Sequence, residues 1–208
     1  MGLEAVASVL KPAFDVIVQS FSLARESRNR ETTFWANEIL EPLHGAMKDV
    51  HKIYIDAFKA ADQMIGDGES DVSAAVVFLS DKREETGFIR KQLYAFMNSI
   101  TDEMDNDEMP KPLSVFITTC ALYFGQYEMG MVKNMDTPFR SLLNMIRDLD
   151  KGYTINRKQM EDVCSALQRD VRAEAKSSIT GMRNYLEDRW FYIESAYHSA
   201  RLHLMRPS

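Results

Sequence analysis

Through about fifty residues, from Asn156 to Met205, apolar or small side chains recur three, four or seven positions apart, and no other property constrains the fold of this chain so strongly. Met160, Cys164, Leu167, Val171, Ala175, Met182, Leu186, Ile193, Ala200 and Leu204 carry the pattern. At 3.6 residues per turn this spacing gathers them on one side of a helix. Such a helix would extend roughly 70 Å and cannot bury its own stripe, so other long helices must cover it.

The same period returns upstream. Leu40, Leu43, Met47, Val50, Tyr54, Ala57, Ala61 and Met64 alternate steps of three and four, a heptad seam. Val72, Val76, Leu79, Thr86, Ile89, Leu93, Phe96, Ile100 and Met104 continue it after the loop 66–70, with Asp71 as a cap and Gly87 as a weak point. The acidic tract 101–108 with Pro110 and Pro112 closes that helix. Leu113, Phe116, Ile117, Cys120, Phe124, Tyr127 and Met131 predict a fourth, centrally buried helix. A helix over about 11–29 uses Ala13, Phe14, Ile17, Val18, Phe21 and Ala24. A short one opens at Thr137-Pro138 and stops at Gly152. Pro42 either kinks a helix begun near Thr33 or opens a new one, and Asn156 with Gln159 resembles a capping box at the start of the last helix. Ser177, Ser178 and Gly181 are its expected hinge. No period-2 run is long enough for a sheet.

The expected architecture is all-α: a bundle of five or six helices, several long and roughly antiparallel, with coiled-coil-like packing. It forms a single domain over residues 1–208, from which the long helix 156–205 can project. The apolar start is interrupted by Glu4, Lys11 and Asp15 and reads as neither signal peptide nor membrane span, and Val6 stands where N-myristoylation wants Ser or Thr. Cys120 and Cys164 fall on apolar helix faces, which fits buried free thiols and a cytoplasmic location. Thirteen methionines fit core filling, with Met97, Met104, Met131 and Met145 on the helical period.

Charge is uneven within the net value of -6: residues 151–208 carry ten Lys/Arg against seven Asp/Glu, and the first 150 carry fifteen against twenty-four. A basic last helix can therefore pack beside acidic neighbours of its own bundle. Arg169, Arg172, Lys176 and Arg183 lie near one side of that helix, where they could track phosphates in a nucleic-acid-binding accessory protein. A metal-binding, di-iron-like bundle is a second alternative. Glu41 and His44 have the Glu-x-x-His spacing that places a carboxylate and an imidazole on one face, and Glu194 and His198 are four apart. The acidic turns at 67–71 and 102–107 lack the twelve-residue calcium pattern.

Catalytic signatures are missing: there is no phosphate-cradling glycine loop, nucleophile elbow, paired Cys-x-x-Cys or His-Glu-x-x-His. The helical HEPN nucleases need an Arg, a polar residue and then a His a few positions on. Arg183-Asn184 opens such a run, but Asp188, Arg189 and Trp190 stand where the His belongs. No cofactor is expected. Consecutive helical residues point about 100° apart, so Trp190, Phe191, Tyr192 and Tyr197 cannot all face one core. The second surface they need is another part of the fold or a partner protein, and for the latter Arg189, Trp190, Tyr192, Tyr197 and Arg201 are the candidate binding residues. The sequence reads as a non-enzymatic protein-protein interaction or assembly module, a small subunit or regulator of a larger cytosolic complex that meets a protein partner or self-associates and avoids membranes.

Overall fold

The computed structural model describes residues 32–66, 72–103, 109–124, 126–128, 131–133, 140, 142–148 and 164–205. The expected helix at 11–29, the caps at Asp71 and Thr137 and the capping box at Asn156 lie outside them. Among the described residues the protein is all-α, with six principal helices: α1 (Glu41–Gly66), α2 (Val72–Glu85), α3 (Gly87–Glu103), α4 (Lys111–Phe124), α5 (142–148) and α6 (Cys164–Leu204). None is long and apolar enough to cross a membrane.

Pro42 stands in the first turn of an α-helix, as expected, within a helical run that begins at Thr32. It lies just inside α1, which follows without a break from Thr32–Phe34 and a π-helical stretch, Trp35–Leu40. A proline there lacks an N–H, and its ring crowds the carbonyl four residues back. Widening the preceding turns relieves the crowding, and the Glu41 N–H accordingly donates to the carbonyl of Ala36, five residues back. Along the α1 seam Leu40, Leu43, Met47, Val50, Tyr54, Ala57 and Ala61 are all at most 4% exposed, while its last member, Met64, is half-buried.

The helix expected over 71–104 is interrupted at Thr86, beside the weak point Gly87. Buried Arg90 reaches back to bridge the break, donating from Nη1 to Thr86 Oγ1 and from its backbone N–H to the Thr86 carbonyl at 3.1 Å. Proline has the opposite role in α4. Pro112 occupies the first turn, where no N–H is needed, and Leu113 and Ser114 close the turn onto the Pro110 carbonyl.

That helix is shorter than expected. It ends at Phe124, and Gln126–Glu128 (β1) pairs antiparallel with Met131–Lys133 (β2), Glu128 opposite Met131. In the sequence a glycine follows Phe124 and another precedes Met131, turn-favouring residues that interrupt the apolar period through Tyr127 and Met131. α6 runs uninterrupted through Ser177, Ser178 and Gly181. Met97 is buried, whereas Met145, expected in the core, is 44% exposed.

The described residues group into two compact units. One is drawn from Met1–His51, Thr86–Met135 and Arg189–Ser208. Its core combines Leu43 and Met47 with Ile89, Leu93 and Phe96 of α3, Phe116, Cys120 and Tyr123 of α4, and Ile193 and Ala200 of α6. Cys120 is a buried free thiol, and burial raises its pKa well above the usual thiol range. The other unit is drawn from Lys52–Glu85 and Asp136–Asp188, with Tyr54, Phe58, Ala75, Leu79, Leu142, Ile146, Ala175, Ile179 and Leu186 inside.

Candidate functional site

In the first unit two heptad-spaced pairs of rings interlock. His44 and His51 stand seven apart on α1, Trp190 and Tyr197 seven apart on α6, and seven residues rise about 10.5 Å. A gap of that length accepts one ring from the opposite helix. Trp190 lies between the two imidazoles, 4.7 Å from His51 with planes 11° apart and 5.9 Å from His44 with planes 19° apart. Tyr197 closes the far side of His44 at 3.7 Å and 8°. The result is a column in the order His51, Trp190, His44, Tyr197, with Phe116 of α4 tilted against both His44 and Tyr197.

Polar edges finish the column. His44 Nε2 lies 3.0 Å from Glu194 Oε1, and since a carboxylate only accepts, Nε2 carries the proton. His198 Nε2 faces the other oxygen of Glu194 at 3.7 Å. The Tyr197 hydroxyl donates to the Glu41 carboxylate, 2.9 Å from each oxygen, and Arg201 Nε stands 3.4 Å from Glu41 Oε1. At the other end, His51 Nδ1 and the hydroxyl of fully buried Tyr123 are 2.8 Å apart.

The four residues grouped for metal binding, Glu41, His44, Glu194 and His198, are thus brought near one another, but in separate pairings. Glu41 serves Tyr197 and Arg201, and Glu194 serves His44 and His198. No group of three or more His, Cys, Asp or Glu among the described residues is placed to hold a metal ion. This arrangement is a clasp that fixes the inner side of α6.

Of the partner-binding candidates, Tyr197 is buried and Trp190 half-buried within the clasp, while Arg189 is half-buried and Arg201 exposed beside Glu41. Tyr192 points outward, 60% exposed, beside Phe191 at 69%. In the second unit, Arg172, Lys176 and Arg183 are half-buried, and the Arg183 Nε atom is buried without a hydrogen-bond partner. The side chain of Arg169 lies outside the described residues. His51, Tyr123 and Phe116 were missed as members of the site. The available signal was the repeated interval of seven between His44 and His51 and between Trp190 and Tyr197.

Burial raises the Tyr197 phenol above its ordinary value, and the hydrogen bond to Glu41 and its negative charge add to the effect, with Arg201 opposing. A phenol whose folded-state value is raised contributes stability that is complete below the unfolded value, about 10, and is lost as pH climbs through the folded one. Urea midpoints measured between about pH 8 and 11 should therefore fall more steeply for the wild type than for Tyr197→Phe. At neutral pH that variant should cost about 1 kcal/mol for the lost hydrogen bond. Parallel alkaline limbs would remove Tyr197 from this account.

Among the described residues, the protein is all-α, and the clasp holds one side of the last turns of α6 while Phe191, Tyr192, Leu202 and Met205 there are exposed. No protein-family model, curated protein or solved structure matches the chain.

Proposed function

We propose that this chain is a non-enzymatic helical interaction module, a small subunit or regulator of a larger cytosolic assembly, which engages protein through the outward side of the last turns of α6. One observation carries the reading. Phe191, Tyr192, Leu202 and Met205 are 69%, 60%, 66% and 51% exposed there, on a helix whose opposite side holds Ile193, Tyr197, Ala200 and Leu204 buried. Single exposed apolar residues are ordinary, but a cluster of large ones on one helix side marks an interaction surface. The charge pattern agrees. The exposed residues from Phe191 to Met205 include no Asp or Glu, since half-buried Glu194 is held by His44 and His198, and charge-poor patches rich in aromatics suit interface centres.

Native mass spectrometry of gently purified full-length protein tests this. Oligomers or complexes with another protein are expected, and Phe191→Ser with Leu202→Ser should weaken them by at least about thirtyfold, the scale of hot-spot truncation. Circular dichroism of the variant should match the wild type, because both side chains are exposed. A bare monomer, or complexes indifferent to these substitutions, would overturn the reading. A stoichiometric metal or polynucleotide mass would restore the corresponding alternative.

A further inference from the structure

We draw no further inference here: the strongest candidate, the exposed apolar patch of Phe191, Tyr192, Leu202 and Met205 on the outer side of the last turns of α6, belongs to the surface already described, and nothing in the structure shows what covers it.

Discussion

Replacing Phe116 with alanine should lower the unfolding free energy by about 3–5 kcal/mol, the cost of removing a fully buried phenylalanine and leaving a cavity. Phe116 is 0% exposed on α4, among the buried side chains Leu113, Ile117 and Cys120, with its ring 6.4 Å from His44 and 6.0 Å from Tyr197. It therefore supports both the apolar core of its unit and one flank of the ring column. The loss should appear as a lower urea midpoint with little change in slope. Near-ultraviolet circular dichroism should weaken as well, because Tyr197 loses a wall that fixes its ring. The cost of Tyr197→Phe should be smaller in this background than in the wild type, since neighbours that share a cavity are not additive. A loss below about 1.5 kcal/mol would mean that the surrounding helices close over the space, and that Phe116 holds the column less tightly than its burial implies.

The seam from Leu40 to Ala61 was legible because burial along a helix repeats, so many residues give independent votes for one face. The widened register before Pro42 was not. The proline's local rule forbids an ordinary ladder, and the solution, π-helical turns from Trp35 to Leu40, is a change of register that no single residue announces. The hairpin after Phe124 went unread for the opposite reason. Tyr127 and Met131 extend the apolar period, although the sequence places turn-favouring glycines at 125 and 130 within it.

The site was half legible. Glu41, His44, Glu194 and His198 were grouped because carboxylate and imidazole on shared helix faces suit a metal, and those residues do come together. What occupies the space among them is aromatic. Tyr197 takes both oxygens of Glu41, and Trp190 enters between His44 and His51. These contacts join residues some 150 positions apart, as in the pairing of His44 with Glu194, where spacing along one helix carries no information about its neighbour. That the four rings cannot share one buried side was legible, since consecutive residues point about 100° apart, but which of them face outward was not: Phe191 and Tyr192 do, whereas Tyr197 is buried.

Trp190→Ala should cost about 2–4 kcal/mol, less than a fully buried tryptophan because the indole is half-buried, and should act mainly by emptying the gap between two imidazoles. The next inward ring of α6, Tyr197, already lies on the far side of His44 and cannot fill that gap. Trp190→Phe should recover most of the loss by restoring a stacked ring. A double-mutant cycle between Trp190→Ala and His51→Ala should give a coupling of about 0.5–1.5 kcal/mol, with Tyr123→Phe as the control for the hydrogen bond that His51 also makes. Coupling within about 0.3 kcal/mol of zero would make the column a coincidence of packing. Because Trp190 fixes the inner side of α6 while Leu202 lies on the outer one, the two positions should separate in effect. Trp190→Ala should lower stability strongly and association of the folded protein weakly; Leu202→Glu should do the reverse, and a shared response would mean that clasp and outer face are one energetic unit.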